Sequence, residues 1–533
     1  MAVLRSAFEG RRLEPAHQPR ASAWRWAAIG SAVLILLTLP PILIAAIQTP
    51  ATSVFSGYVV IARDAYVYQA LWRQGWNGAW LFHSPYTSES VPGILLYPWY
   101  LWPAHVIGWA AGPWLYHVAR VAAAAALLAG VWLLIRELFR SRLLRGWAFT
   151  LCTLGGGIGA FLPHEIRLGP LTTGATEMRS PGSSVADLIA MAAHLPWALA
   201  LMCWAMVVAL RVRRRLSLSE LISGLAAVVG LQLIYPQLAL LLVLVVGAWS
   251  LVSRLRRPLW YAAAAAGLQA PYLAYLLWLS HSAPQALAVI RPSLDVGDPF
   301  GFLVLSHLTA TGLILVALWR RRLRGDLILP ALWIVGMTLF MFLPWVSGSL
   351  GRSFMASSIP FGLCAAPGLL SLLRMLPTRA WRRRVLAATL ALSSFYGIFS
   401  LAQPYWIASF RFDTAAEYES RAEAAILARL APSVSARDIV LTRYVDGIFV
   451  PAQTNARAFD GHPEMTVDAG HKSDQANAFL DSWDDRTRAA FVRANGIDYV
   501  LATDAGSITR LEADPGLRLI DHEADVALFA VQP

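Results

Sequence analysis

An Arg–Asp pair, Arg63 and Asp64, follows the first long apolar run of the chain, in the stretch ARDAYVYQALWRQG (62–75). A single carboxylate at such a place can act as a general base that takes a proton from an acceptor hydroxyl. An arginine on the same side of a membrane can pair with a phosphate and stabilise its developing charge. A structural role is equally open, because Asp is a preferred N-cap and a helix could begin at AYVYQALW. The two roles are compatible.

Further polar side chains that could bind or react are spread along the chain but fall on one predicted side of the membrane. They are His83 and Glu89 in the first loop, His194, Tyr235 and Gln237 beside Pro236, Arg352 in SGSLGRSFM, and His462 and Glu464 near the C-terminus. Structural alternatives exist: His194 is a candidate core histidine, Arg352 a snorkelling anchor at a span end, and the His462 region a tight turn.

The sequence gives no firm sign of a metal or another cofactor. No second acid accompanies Asp64, and the spacing of His462, Glu464 and His471 matches no strong ligand pattern. A divalent metal is therefore an open but unsupported alternative. HExxH, GxSxG and Walker-type loops are absent from the sequence.

Composition places these residues in a membrane protein. Of 533 residues, 57% are hydrophobic and 14% are charged, and the mean hydropathy is +0.53. A soluble domain of this size needs far more charge to cover its surface. The formal net charge is +12, and Lys472 is the only lysine. Because the arginines form short clusters beside apolar runs, they indicate membrane orientation and not a nucleic-acid partner.

Eleven apolar runs come near the ~20 residues needed to cross a bilayer. They lie at about 26–47, 114–135, 147–162, 188–210, 219–235, 237–253, 259–280, 300–319, 327–346, 354–373 and 385–403. Basic clusters precede the first run and follow every second run, at 136–145, 211–215, 254–257, 320–324 and 374–384. All clusters share one side if the N-terminus is cytoplasmic, which predicts that the C-terminus is outside.

One further apolar run, 94–112, is predicted to stay on the outer face. It holds Pro98 and Pro103 together with aromatic residues, and Trp and Tyr favour the headgroup zone. A full crossing here would invert every later span. The run therefore predicts an interfacial or re-entrant helix.

These patterns predict three regions in an α-helical polytopic membrane protein. Residues 1–25 form a cytoplasmic basic segment, and 26–404 form the transmembrane domain with an outer first loop at 48–113. Residues 405–533 are predicted to form a small extracytoplasmic α/β domain, with strand-like stretches DIVLT and IDYVLAT and helical patterns at 414–430 and 474–494.

The chain resembles GT-C glycosyltransferases, and within them the dolichyl-phosphate-mannose mannosyltransferase-like group. The resemblance rests on ARDAYVYQALWRQG, YPWYLWPAHVIGWAAG (97–112), YHVARVAAAAALLAGVWLLIREL (116–138) and GRSFMASSIPFGLCAAPGLLSL (351–372). The C-terminal segment is similar to the outer domain of a bacterial branch, through FDGHPEMTVDAGHK (459–472) and FVRANGIDYVLATD (491–504).

The resemblance implies an enzyme of the bacterial inner membrane, active on its outer face. Its donor would be a polyprenyl-phosphate sugar, its acceptor a glycan, a lipid or a protein, and Asp64 the catalytic base. Arg352 and Arg63 would bind the donor phosphate, while His83, Glu89, His194, Tyr235, Gln237, His462 and Glu464 are candidate substrate-binding residues.

Two other functions are weighed against glycosyl transfer. A transporter or flippase of lipid-linked material should carry titratable residues in mid-span and paired repeats; His194 and His307 are the main candidates, and no two-fold repeat is visible. A membrane assembly protein would use its C-terminal domain to bind a partner, and Asp64 would then serve only to fold the first loop.

Overall fold

The computed structural model describes residues 21–108, 112–157, 166–168, 171–173, 182–214, 217–283, 306–341, 354–410 and 414–532. Arg352 and residues 1–20 of the predicted basic segment lie outside these ranges. The helices up to Phe410 are α1 (Ala21–Leu36), α2 (Pro40–Ile47), α3 (Ala62–Trp76), α4 (Pro98–Ile107), α5 (Gly112–Leu138), α6 (Arg142–Thr153), α7 (Val185–Ala190), α8 (His194–Val212), α9 (Leu218–Ile234), α10 (Pro236–Val252), α11 (Arg256–Ser282), α12 (Leu308–Trp319), α13 (Ile328–Met341), α14 (Ser358–Met375) and α15 (Arg379–Phe410).

Six helical segments in the described residues are long and apolar enough to cross a membrane, so the chain is a membrane protein. They are Trp24–Ile47, Trp114–Leu138, His194–Val212, Arg256–Ser282, Ser358–Met375 and Arg379–Phe410. Shorter apolar helices are Leu218–Ile234, Pro236–Val252, Leu308–Trp319 and Gly325–Phe340. The count of eleven spans and the orientation of the chain stay predictions.

The proline-rich run 94–112 contains the short helix α4. Ten residues rise about 15 Å, which is half of the ~30 Å hydrocarbon core. Pro98 begins this helix and Pro103 lies inside it. The length therefore agrees with a helix that does not cross.

The helices of the membrane part pack closely where glycines face neighbouring backbones. A Cβ on Gly368 of α14 would lie 1.9 Å from the carbonyl oxygen of Leu313 in α12. A Cβ on Gly362, on the same helix, would lie 2.6 Å from the amide nitrogen of Cys152 in α6. Small residues thus allow α14 to touch two helices at backbone distance, as is common between membrane helices.

The C-terminal region folds around one five-stranded sheet. Its elements are α16 (Thr414–Glu417), β4 (Tyr418–Ser420), α17 (Arg421–Leu430), β5 (Ile439–Leu441), α18 (Tyr444–Gly447), α19 (Phe449–Gln453), β6 (Arg457–Ala458), α20 (Ala469–Asp481), α21 (Asp485–Asn495), β7 (Tyr499–Ala502), α22 (Ala505–Glu512), β8 (Leu517–Glu523) and β9 (Val526–Val531), preceded in the chain by β1 (Ser53–Phe55), β2 (Ile166–Leu168) and β3 (Leu171–Thr173). The strand order is β6-β5-β7-β9-β8, with β5 parallel to β6 and β7 and β9 antiparallel to β7 and β8. Strands β5 and β7 lie within DIVLT and IDYVLAT.

The two faces of this sheet bury different partners because side chains alternate along a strand. Ile439 and Leu441 pack into a core with Phe479 of α20. Val440, between them, packs into a second core with Leu71 of α3 and Phe82 of the first loop. One face of the C-terminal sheet is therefore seated directly on the first loop.

The helical patterns predicted at 414–430 and 474–494 are both interrupted. In the first, β4 separates α16 from α17, because Tyr418–Ser420 pairs antiparallel with Ser53–Phe55. In the second, α20 ends at Asp481 and α21 begins at Asp485, where the side chain of Asp484 accepts a hydrogen bond from the amide of Thr487. Strand pairing and an N-cap override helix periodicity at these points.

Candidate functional site

Helix α3 places Asp64 at its first turn. The helix begins at Ala62, and the N-cap is Ile61, whose backbone is left-handed with φ of 50° and whose side chain makes no capping hydrogen bond. The N-cap alternative for Asp64 is therefore wrong, because the helix starts before the carboxylate and not after it. At the third helical position the carboxylate lies in the first turn, near the positive end of the helix dipole.

The C-terminal domain contributes a histidine to Asp64. His462 Nε2 lies 3.3 Å from Asp64 Oδ1, although the two residues are 398 positions apart. The imidazole is 5% exposed and the carboxylate 47% exposed. The amide of Glu464 donates to His462 Nδ1 at 3.2 Å, so the neutral ring carries its proton on Nε2 and donates it to Asp64.

The loop that carries His462 is fixed against the first loop. Thr466 Oγ1 accepts from the amide of His462 at 3.3 Å and donates to the carbonyl oxygen of Tyr86 at 2.6 Å. Asp460 is fully buried beside this turn, and burial raises the pKa of its carboxyl to about 6. The histidine is therefore held by a polar turn that spans both regions.

A cavity of about 360 Å³ opens beside Asp64. It is lined by the residues just before and at the start of α3, by Asp187 and Ala190 of α7 with the following Met191, by residues of α15, and by Glu417. Asp64, Asp187 and Glu417 all line it, so carboxylates that are distant in sequence share this space. We call it the Asp64 cavity.

Asp187 differs from Asp64 in its surroundings. It is 6% exposed, and its Oδ2 accepts hydrogen bonds from the Tyr396 hydroxyl at 2.8 Å and from the Gly182 amide at 3.2 Å. Burial raises the pKa of the Asp187 carboxyl, and the hydrogen bonds that it accepts oppose this. The cavity lining thus combines the half-exposed Asp64 with two buried acids, Asp187 and Glu417.

Two arginines lie close to this cavity. Arg63 is exposed and lines it, and its guanidinium lies over the Tyr444 ring at 5.9 Å from the centroid. Arg120 of α5 is 2% exposed and donates to Thr38 Oγ1 and to the Ile189 carbonyl, both at 2.8 Å. Its second terminal nitrogen has no hydrogen-bond partner among the described residues.

Arg120 borders a space of about 20 Å³ that shares Val59, Val60, Ala190 and Pro404 with the lining of the Asp64 cavity. A buried guanidinium bound to neutral oxygens keeps its charge. In a region of low dielectric, that charge acts across the wall formed by these shared residues. Arg120 therefore adds positive potential to the cavity that holds Asp64. Arg352 lies outside the described residues.

His83 and Glu89 do not join Asp64 but lie together at another groove. Both line a space of about 640 Å³ between the first loop and the C-terminal domain. Glu89 Oε2 is 2.6 Å from Lys472 Nζ. Lys472 also donates to Ser88 Oγ at 2.9 Å and to Thr87 Oγ1 at 3.1 Å.

His194 and Tyr235 form part of a buried aromatic cluster. Their rings stack with centroids 5.9 Å apart, and the Tyr100 hydroxyl lies 2.8 Å from His194 Nδ1. This environment fits the core alternative for His194. Gln237 is half-buried at the second position of α10, and none of the three lines the Asp64 cavity. Glu464 contributes the amide that fixes the His462 tautomer.

The fit to a metal is poor in the described part of the chain. Asp64, Asp187 and Glu417 all line one cavity, yet no group of three or more His, Cys, Asp or Glu residues among those described is placed so that it could hold a metal ion. We therefore derive no step through a metal.

Sequence reasoning missed Asp187, Tyr396 and Arg120. Asp187 lies at the start of an apolar run, where an acid is expected for structural reasons because it interacts favourably with the helix dipole. Tyr396 and Arg120 lie within predicted spans. For Arg120 a signal existed, because a lone charge inside an apolar run is costly and is kept mainly for function.

Comparison with solved structures shows which proteins have a fold similar to that of this chain. The chain is similar to the apo oligosaccharyltransferase of Archaeoglobus fulgidus, with a TM-score of 0.51 and 12% identity, over 90% of this chain and 69% of that one. It is also similar to arabinosyltransferase EmbB from Mycobacterium smegmatis, with a TM-score of 0.38 and 15% identity, over 98% of this chain and 47% of that one. The second likeness is too distant to support an inference.

No family model matches the sequence, and no curated protein matches it. The dolichyl-phosphate-mannose mannosyltransferase-like subgroup thus stays a prediction, whereas the resemblance to GT-C enzymes is confirmed at the level of the fold. At 12% identity the likeness shows architecture alone, and it shows that this membrane protein has the GT-C fold.

Proposed function

We propose that the protein is a membrane glycosyltransferase that moves a sugar from a polyprenyl-phosphate donor to an extracytoplasmic glycan, lipid or protein acceptor. The observation that carries the proposal is the position of Asp64. Its half-exposed carboxylate lines a cavity between apolar helices and the first loop, and a buried histidine from the C-terminal domain contacts it. The GT-C fold supports the same reaction class.

In this proposal Asp64 is the general base. His462 donates its Nε2 proton to Oδ1, which orients the carboxylate and leaves Oδ2 to accept the proton of the acceptor hydroxyl. The acceptor oxygen forms the new bond to the anomeric carbon as the bond from that carbon to the donor phosphate oxygen breaks. The phosphate leaves with the bonding pair, and Asp64 holds the proton.

Arg63 is the proposed donor-phosphate residue among those described. It lines the Asp64 cavity and is exposed, and a guanidinium can donate two parallel hydrogen bonds to a phosphate. Arg120 adds positive potential from behind the shared wall. Arg352 keeps the phosphate-binding role that the resemblance implies. The buried Asp187 is proposed to shape the cavity together with Tyr396.

The topology needed for this reaction is also proposed. With eleven spans and a cytoplasmic N-terminus, the first loop (48–113) and the C-terminal domain (405–533) face the outside of a bacterial inner membrane. Sugar nucleotides are cytosolic, so an outward-facing transferase needs a donor carried by lipid. A reporter fused after residue 90 tests this orientation.

The decisive experiment compares Asp64→Asn with Asp474→Asn, a control that neutralises an exposed aspartate of α20. Purified full-length protein receives a panel of polyprenyl-phosphate sugars and candidate acceptors, and transfer or donor hydrolysis is measured. We expect Asp64→Asn to lower the rate by about 10²–10⁴-fold, the range for loss of a general base, and Asp474→Asn to leave it unchanged. Undiminished turnover in Asp64→Asn would remove Asp64 from the mechanism.

A further inference from the structure

The groove that contains His83 and Glu89 is separate from the Asp64 cavity. Its walls are the second half of α3 with the loop after it, and the segments of the C-terminal domain at Val434–Arg437 and Pro451–Arg457. Arg73 lies nine residues after Asp64 on α3, about 14 Å along the axis and half a turn round the helix. We call this space of about 640 Å³ the outer groove; it has the size of a ligand site.

The outer groove carries excess positive charge. Three arginines line it, Arg73, Arg437 and Arg457, and Glu89 is the only acid in its lining. The charge of Glu89 is matched by Lys472 at 2.6 Å. Arg437 and Arg457 therefore leave the lining with a surplus of positive charge.

The way in which Arg457 is held preserves its charge. Its guanidinium donates to the carbonyl oxygens of Ser88 at 2.9 Å, Glu89 at 3.2 Å and Arg437 at 3.3 Å. Carbonyl groups fix the position of a guanidinium without cancelling its charge. Burial lowers the pKa of the Arg457 guanidinium, and the charges of Asp498 and Glu89 oppose this. Beside it, the Arg437 side chain is exposed.

Amide side chains in the lining add hydrogen-bonding groups to the charge of the arginines. Gln74, Asn77 and Asn455 contribute amides, and Asn77 Nδ2 donates to Asn455 Oδ1 at 2.7 Å. The apolar lining residues are small, and His83 supplies the only aromatic ring among the lining residues. Charge and hydrogen bonds are therefore the main means of recognition that the lining offers.

We propose that the outer groove binds a glycan segment that carries carboxylate or phosphate groups, and so anchors the acceptor polymer at a distance from Asp64. Binding itself follows from the charge and amides of the groove; the role of the glycan as acceptor rests on the proposed function. Anchoring would hold a long acceptor near the enzyme while its end enters the Asp64 cavity.

Binding to the purified full-length protein tests the proposal without any turnover. The probes are oligogalacturonate for carboxylates, a glycerol-phosphate oligomer for phosphates, and a malto-oligosaccharide as the neutral comparison. We expect at least one anionic probe to bind, with an affinity that falls as salt screens the charges, and the neutral probe to bind at least tenfold more weakly. Which anionic probe binds more tightly identifies the charged group.

Arg437→Gln is the main variant, because the exposed side chain can be changed without burying a void. Its expected effect is a fivefold to tenfold loss of affinity for the anionic probe, while Arg518→Gln, an exposed arginine of β8 outside the groove, binds as wild type does. Equal binding of neutral and anionic probes would overturn the proposal. So would equal affinity of the two variants, or preferential binding of anionic lipid vesicles through Arg437.

The two proposals fail in distinguishable ways. If anionic glycan binds and Asp64→Asn retains full transfer activity, the outer groove stands and the assignment of Asp64 falls. If transfer depends on Asp64 but Arg437→Gln leaves both binding and the KM for an anionic acceptor unchanged, the outer groove falls alone.

Discussion

Replacing Glu89 by glutamine should loosen the contact between the first loop and the C-terminal domain. Lys472 is 5% exposed and donates to Glu89 at 2.6 Å. Burial alone lowers the pKa of the Lys472 ammonium, and Glu89 acts against this. Burial by itself would raise the pKa of Glu89, but the hydrogen bonds from Lys472 and Thr87 bring it below its usual range. Each group therefore stabilises the charge of the other.

The size of the effect follows from this geometry. A hydrogen bond between charged groups contributes about 1.5–3 kcal/mol. The Glu89 side chain is 40% exposed, so solvent screening puts the loss near the lower limit, about 1.5 kcal/mol. Glu89→Gln keeps the shape and a neutral acceptor but leaves the buried ammonium without its anion. A loss of that size raises the population of opened molecules about tenfold.

The chain offers a simple assay, because Lys472 is its only lysine. An amine-reactive reagent, read out at the level of peptides, modifies Lys472 when the contact opens, and the rate follows the open population when closing is fast. We expect slow labelling in wild type and about tenfold faster labelling in Glu89→Gln. Glu512→Gln, which changes an exposed glutamate of α22, should label as wild type does.

A lysine introduced by Arg518→Lys gives the rate for an exposed amine in the same chain. If Lys472 reacts as fast as that reference in the wild-type background, the ammonium is not buried and the reasoning fails. The same conclusion follows if Glu89→Gln and Glu512→Gln are labelled at one rate.

Two further predictions concern the C-terminal domain. His462→Gln should lower kcat/KM about tenfold, because it removes the Nε2 hydrogen bond that orients Asp64. The thermal unfolding temperature should stay near that of wild type. An unchanged kcat/KM would show that His462 does not act on Asp64. Burial raises the pKa of Glu419 to about 8, and because the folded state favours the neutral acid, stability should fall as pH rises from about 4.5 to about 8. Glu419→Gln should weaken this loss of stability, which amounts to a few kcal/mol at most. Urea unfolding at pH 5 and pH 8.5 measures the free energy of unfolding of both proteins. An equal pH dependence in the two would contradict the raised pKa of Glu419.

The sequence predicted best the features that depend on solvent. Apolar runs predicted helices because a bilayer requires a minimum length of apolar chain. Pro98 and Pro103 predicted that the helix at 94–112 does not cross the membrane. The acid at Asp64 stood out because it interrupts an aromatic, membrane-proximal stretch. These features are local, so a linear pattern contains them.

Contacts between distant segments could not be predicted in this way. Nothing near Asp64 in the chain indicates that Asp187 lines the same cavity or that His462 donates to it. Strands β4 and β6, of three and two residues, exist because partners are present, and their sequences carry no alternation that reveals them. The start of α3 at Ala62 depends on a left-handed backbone at the N-cap Ile61, which an isoleucine adopts only in its tertiary setting.

The pairing of β1 with β4 has a consequence for the order in which the protein folds during synthesis. Ser53–Phe55 is synthesised early, whereas Tyr418–Ser420 and His462 follow all the apolar helices of the described residues in the sequence. A nascent chain holding only the first loop has no partner for that strand and no imidazole beside Asp64. If the C-terminal domain is exported, the contact between Asp64 and His462 forms only when synthesis is nearly complete, and on the proposed function an arrested fragment would lack the histidine that orients the base.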